Sequence, residues 1–305
     1  MDWKHGIVDF AKGFAMGAAN VIPGVSGGTI ALITGIYARL LAALKHCDIQ
    51  ALRLLLKRDW SAFARRIDLA LLVPLGLGVV VSILTLARLL EWLLADHPVP
   101  TFAFFFGLIV ASLPCLAREV SRWTPPRIAT LLMGCGVAAG VAFLAPAQAN
   151  PAMAYLFLCG VLAICSMILP GLSGSFILIL LGNYALVLEA INRLQLDRLI
   201  PFTLGCGFGL LAFAHLLTWV FRRYPDRTHA CMTGFVAGSL LVLWPWKSAR
   251  TVTQSVAGET QEIAVGYTWS LPALDASFLL ALVAASLGVA CLTAVEWLAR
   301  RKPSG

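Results

Sequence analysis

Asn20-Val-Ile-Pro-Gly-Val-Ser-Gly-Gly-Thr29 and Met167-Ile-Leu-Pro-Gly-Leu-Ser-Gly-Ser175 decide how this chain folds. Each interrupts an apolar region, 7–45 and 154–191, near its middle. Pro and Gly inside a membrane helix free backbone groups that lipid cannot satisfy. Such a break must be buried in protein or line a wet cavity. Composition places both breaks in a bilayer. Of 305 residues, 60% are hydrophobic and only 12% charged, with a mean hydropathy of +0.86. A soluble domain carries about 25% charged residues, so this chain cannot wet the outside of a water-soluble fold. Its length excludes collagen-like, coiled-coil and small disulfide-scaffold readings. The predicted class is an all-α polytopic membrane protein.

The two breaks belong to an internal repeat. A shift of 147 aligns Gly13 with Gly160, Pro23 with Pro170, Ser26 with Ser173, Gly35 with Gly182 and Tyr37 with Tyr184, without a gap. Further on, a shift of 127 aligns Pro74 with Pro201, Gly78 with Gly205, Trp92 with Trp219 and Gly107 with Gly234. The change of shift marks an insert of 20 residues in the first half, around 46–66. Chance matching of Leu and Ala does not recover Pro, Trp and Gly in register. The predicted halves are 1–145 and 146–305. Each holds a re-entrant broken-helix hairpin (7–45 and 154–191) and three spans, giving about six full transmembrane helices.

The net charge of +8 comes from 23 Lys+Arg against 15 Asp+Glu. Its placement speaks of membrane orientation rather than a nucleic-acid partner. Seven Lys and Arg lie between Arg39 and Arg66, and further clusters lie at Arg118–Arg127, Arg222–Arg227 and Arg300–Lys302. All fall on one side if each hairpin enters and returns, which makes both termini cytoplasmic. The second half then starts from the opposite face, so the repeats are inverted. This parity holds equally for re-entrant and spanning arms; the short arm 7–22, with Asp9 and Lys12, favours re-entrant. The N-terminus lacks the pattern of a signal peptide and is expected to be retained. The eight cysteines form no CxxC pair and read as small buried hydrophobes.

Inverted repeats with discontinuous helices point to a secondary transporter whose site lies near the midplane. In each break Pro ends one half-helix, Gly permits a tight turn with exposed N–H groups, and Ser or Thr stands where it can cap the next half-helix. A helix N-terminus with free N–H groups and hydroxyls binds phosphate or carboxylate. The candidate anion ligands are Ser26, Gly27, Gly28 and Thr29 from one face and Ser173, Gly174 and Ser175 from the other, with Asn20 and Asn183 lining the same space. Read alone, one such break is equally a packing kink between close helices. Arg88 and His215, equivalent at the 127 shift, are candidate intramembrane cations. Snorkelling or a local pair with Glu91 explains Arg88 as well, and a hydrogen-bonded packed ring explains His215. Residues 45–66 read as a basic amphipathic helix on anionic membrane lipids.

The string GFAMGAANVIPGVSGGTIALITGIY (Gly13–Tyr37) resembles the opening of the polyprenyl-phosphate translocase family of bacteria and archaea. PGLSGSFILILLGNY (Pro170–Tyr184) and Leu243-Trp-Pro-Trp-Lys247 are also similar to that family, and the resemblance covers roughly residues 6–298. Ala38 stands where the family often has an acidic residue. The resemblance implies a flippase in the bacterial cytoplasmic (inner) membrane. It would return undecaprenyl phosphate to the inner leaflet for cell-envelope glycan synthesis. No covalent step and no cofactor is implied; a proton or a sodium ion is the candidate coupling ion, and oligomeric state stays open. Two other readings compete. A polyprenyl-pyrophosphate phosphatase would need carboxylates, cations or metal to manage developing charge, yet Ser26 and Ser173 are followed by Gly rather than Arg. A small-soluble-anion transporter would need an enclosed aqueous site.

Overall fold

The computed structural model describes residues 3–21, 26–256 and 259–300. Pro23 and Gly24, the first Pro-Gly pair, lie outside the described residues. The first half runs α1 (Trp3–Val21), α2 (Gly27–Ile33), α3 (Tyr37–Lys45), α4 (Ile49–Leu56), α5 (Trp60–Arg66), α6 (Leu69–Asp96), α7 (Pro98–Ala117) and α8 (Pro125–Val141). The second runs α9 (Met153–Ile168), α10 (Gly174–Leu180), α11 (Tyr184–Asn192), α12 (Leu196–Arg223), α13 (Pro225–Leu243), β1 (Lys247–Val256), β2 (Glu259–Trp269) and α14 (Ala276–Arg300).

This is a nearly all-α, multi-pass membrane protein. Among the described residues, α6, α7, α12 and α14 are long and apolar enough to cross a bilayer. The sequence reading counts α8 and α13 as spans too. The structure gives α8 only 17 residues, about 25 Å at 1.5 Å per residue, against a hydrocarbon core of about 30 Å. Asp226, Arg227 and His229 dilute the start of α13. Leu84 on α6, Leu204 on α12 and Leu279 on α14 are all more than 60% exposed. In water such a surface would aggregate; in lipid it is the outer face of the bundle.

Helix partners repeat between the halves. α1 packs along α6 as α9 packs along α12; α7 packs on α14 as α13 packs on α8. The contacts are backbone on backbone, and glycine is what permits them. A methyl built on Gly13 would lie 2.0 Å from the Leu75 carbonyl oxygen, and one on Gly160 would lie 2.2 Å from that of Phe202. A methyl on Gly78 would lie 2.2 Å from Phe10 O, and one on Gly205 would lie 2.1 Å from Phe157 O. Each pair of neighbours is related by the shifts that relate the glycines.

Both hairpins carry a second interruption. α2 and α10 end at Gly35 (φ 72°) and Gly182 (φ 74°). Ile36 N then donates to Ala31 O at 3.0 Å and Asn183 N to Leu178 O at 3.1 Å, the six-to-one bond of a Schellman motif. The chain turns by 113° between α10 and α11.

Two segments differ from the sequence reading. The 45–66 insert is two short helices, because Asp59 starts a new cap by accepting from Ala62 N at 3.0 Å and Arg58 turns the chain at φ 57°. The stretch after α13, for which an all-α reading has no strand, pairs as an antiparallel hairpin from Lys247↔Trp269 to Val256↔Glu259. Thr251, Val252, Thr253 and Val256 supply the β-branched residues that favour it.

Candidate functional site

Ser26 is the N-cap of α2, in extended conformation (φ −113°, ψ 140°). Its Oγ accepts from Gly28 N at 3.1 Å, while Gly27 N donates to Asn20 Oδ1 at 2.8 Å. Thr29 N donates to Ser26 O at 2.9 Å. The first amides of α2 are therefore supplied with oxygen from the chain itself, and Ser26 to Thr29 are all buried. The first turn is closed.

Ser173 occupies the equivalent place at α10 with similar backbone (φ −104°, ψ 130°), but its hydroxyl makes no cap bond. Ser173 Oγ instead lies 2.9 Å from Ser175 Oγ, and Ser175 is exposed. No acceptor among the described residues takes the N–H groups of Gly174, Ser175 or Phe176. The second turn is open. One residue accounts for the first of these missing bonds. At the 147 shift, Asn20 corresponds to Met167. A Cβ on Gly27 would meet the Asn20 amide at 3.0 Å, and one on Gly174 would meet Met167 Cγ at 2.5 Å. The side chains occupy the same place, but the thioether carries no acceptor to match the amide oxygen.

The two turns touch. Thr29 Oγ1 accepts from Gly171 N at 2.8 Å, Ser26 Oγ donates to Met167 O at 3.4 Å, and Tyr37 OH donates to Ile168 O at 2.9 Å. The last carbonyls of a helix have no intrahelical partner; here hydroxyls of the first hairpin serve those of α9. Sequence reasoning missed these bridges. The alignment of Tyr37 with Tyr184 marks the residue but not its partner.

The other candidate residues lie elsewhere. Asn183 is fully buried; its Oδ1 accepts from Asn150 N and its Nδ2 donates to Asn150 O, both at 2.8 Å. It pins the 147–150 loop to the second hairpin. Arg88 and His215 are exposed on α6 and α12. The His215 ring Nδ1 lies 2.8 Å from Leu211 O, and no hydrogen bond joins either residue to the turns among the described residues. Arg39 bridges the buried Asp9, at 3.3 Å, and Asp68, at 2.6 Å, at the base of the first hairpin. Arg39 and Asp68 also line a cavity of about 580 Å³ with His46, Arg65 and Arg66 beside the insert.

A family model described as undecaprenyl phosphate translocase-like matches residues 16–261, taking in both turns and the helices that hold them. The chain belongs to that family. The translocase-like chain is 44% identical to a polyprenyl-phosphate transporter of Vibrio cholerae, over 82% of this chain and 81% of that one. It is 31% identical to a polyprenyl-phosphate transporter of Staphylococcus aureus, over 78% of this chain and 86% of that one. No solved structure matches it. Both of these relatives are named as transporters, and the two turns present hydroxyls and amides.

Proposed function

We propose that the protein moves a polyprenyl monophosphate, undecaprenyl phosphate, across the bacterial cytoplasmic membrane, returning carrier lipid for cell-envelope glycan synthesis. The two halves are inverted in the membrane with both termini cytoplasmic. Matched glycine contacts support the repeat, and the Lys and Arg clusters support the orientation. The phosphate is held by the Ser173 and Ser175 hydroxyls and the amides of Gly174–Phe176. α10 is short, so these groups contribute as direct hydrogen-bond donors rather than through a long helix dipole. Ser26 to Thr29 become available when the Asn20 and Ser26 side chains release the first amides. The lipid tail stays in hydrocarbon, and only the head needs a polar path.

One observation carries this reading: two hairpin turns lie in contact, one supplied by its own side chains and the other with donors that find no partner among the described residues and an exposed hydroxyl. The test is exchange of labelled undecaprenyl phosphate between the leaflets of reconstituted vesicles. Wild type accelerates it. Ser173→Ala with Ser175→Ala slows it at least tenfold while the melting profile stays unchanged, since Ser175 is exposed. Unchanged exchange in the double variant removes the site. Release of inorganic phosphate from the pyrophosphate form favours an enzyme instead.

A further inference from the structure

The β1–β2 hairpin brings a cation to the second hairpin. Lys247 opens β1, directly after Trp244-Pro-Trp246. The residue is half-buried and its ammonium lies among aromatic rings, 3.7 Å from the centre of Phe102 on α7 and 4.7 Å from that of Tyr267 on β2. Nζ donates to the Val242 carbonyl near the end of α13. An ammonium has three donors, and no carboxylate of the described residues pairs with this one. The acidic residue next along the chain from the hairpin, Asp275, is occupied by Ser277 and Phe278. Burial alone lowers the Lys247 pKa to about 7. Tyr267, the second wall of the enclosure, stacks on Phe176 at 6.3 Å. Phe176 directly follows Ser175 of the open turn. A cation with no carboxylate partner among the described residues is thus linked through the rings of Tyr267 and Phe176 to a turn whose amides have no acceptor among them.

A cation enclosed by rings gains from their faces but loses hydration, and an arriving anion restores what burial removed. We propose that Lys247 binds the phosphate of the lipid substrate beside the Ser173–Ser175 turn, its ammonium passing from the Val242 carbonyl to a phosphate oxygen. The proposal rests on the reading of that turn as the phosphate site. The ligand chemistry is a phosphate monoester. The attached prenyl chain keeps it at the lipid face, and free phosphate offers the same oxygens without that anchor.

The test uses the full-length chain in nanodiscs with three probes: undecaprenyl phosphate, undecaprenol without phosphate, and inorganic phosphate. Lys247→Met weakens undecaprenyl phosphate binding at least tenfold, Lys247→Arg stays within threefold of wild type, and undecaprenol binding is equal in all three. In wild type, undecaprenyl phosphate shields Lys247 from acetic anhydride at concentrations where neither undecaprenol nor inorganic phosphate does. This labelling arm stands even if Lys247→Met does not fold. Wild-type affinity in a folded Lys247→Met, or absence of shielding while undecaprenyl phosphate is bound, overturns the role of Lys247 and leaves the serine turn standing. Shielding by inorganic phosphate at the same concentration overturns the lipid as the source. Failure of wild type to bind undecaprenyl phosphate removes the parent reading and this one together.

Discussion

Met167→Asn should give the open turn the first of the bonds that close its counterpart. The residue stands where Asn20 stands in the first hairpin, and its side chain already lies over Gly174, 2.5 Å from where a Cβ would be. An amide oxygen there is placed to accept from Gly174 N as Asn20 Oδ1 accepts from Gly27 N at 2.8 Å. Such a bond is worth about 0.5–1.5 kcal/mol net. A phosphate that needs the same amide must displace it, so binding weakens by the same amount. At about 1.4 kcal/mol per factor of ten, this is about 2- to 12-fold. Met167 is 48% exposed, so the exchange leaves the core in place. Two measurements are needed. Amide hydrogen exchange at Gly174 reports the new bond and should slow. Leaflet exchange of undecaprenyl phosphate should fall within the calculated range. A slowed amide with undiminished transport refutes the idea that this amide holds phosphate. An amide that exchanges as before refutes the account of why the two turns differ.

Three further outcomes are expected. Thr29→Val leaves the Gly171 N–H without its acceptor at a site where Thr29 is 1% exposed. It should destabilise the fold by about 1–3 kcal/mol in micelle unfolding, while Thr29→Ser keeps most of that stability. Equal stability of the two variants would show that the bridge does not matter. Gly78→Ala and Gly205→Ala place methyls 2.2 and 2.1 Å from carbonyl oxygens of α1 and α9. Each should cost about 1–3 kcal/mol or more, and a severe loss in one with none in the other contradicts the equivalence of the two contacts. Asp48 is held to a pKa of about 2, first by its hydrogen bonds from Arg66 and then by Ala51 N. Because its folded value lies below the ordinary 3.8, the pair's stabilisation is complete above that value and is lost as pH falls from there through about 2. A carboxyl carbon NMR titration checks this, and Arg66→Gln should move the midpoint back up.

Much of the fold was legible because its contacts are made by residue types that tolerate few substitutes. Gly13, Gly78, Gly160 and Gly205 recur at fixed shifts, and the structure shows each against a neighbour's backbone, where a side chain has no room. Pro170 and the paired serines located the second turn, and the apolar runs gave the long helices. The state of each turn was not legible. Part of it lies in Asn20 against Met167, a mismatch that an alignment shows but that acquires meaning only once the side chain is seen lying over the next helix start; the rest lies in Ser173, which pairs with Ser175 instead of capping as Ser26 does. The bridges from Thr29 and Tyr37 join residues more than 130 apart, and no local pattern announces them. The Lys247 enclosure was hidden for another reason: a lone lysine between apolar segments looks like a solvated charge until the rings of α7 and β2 and the carbonyl of α13 are assembled around it.

The self-supplied first turn bears on what an unloaded carrier does. Bare amides cannot rest in hydrocarbon, so a carrier whose helix starts were kept vacant would be held on one side until cargo arrived. Here Asn20 and Ser26 already supply oxygens to the start of α2, so that turn needs no ligand to rest in an apolar surrounding; the start of α10, whose amides have no acceptor among the described residues, does. Under the proposed function the two helix starts therefore ask different things of a phosphate: at the first it must displace oxygens already in place, and at the second it supplies ones that are missing.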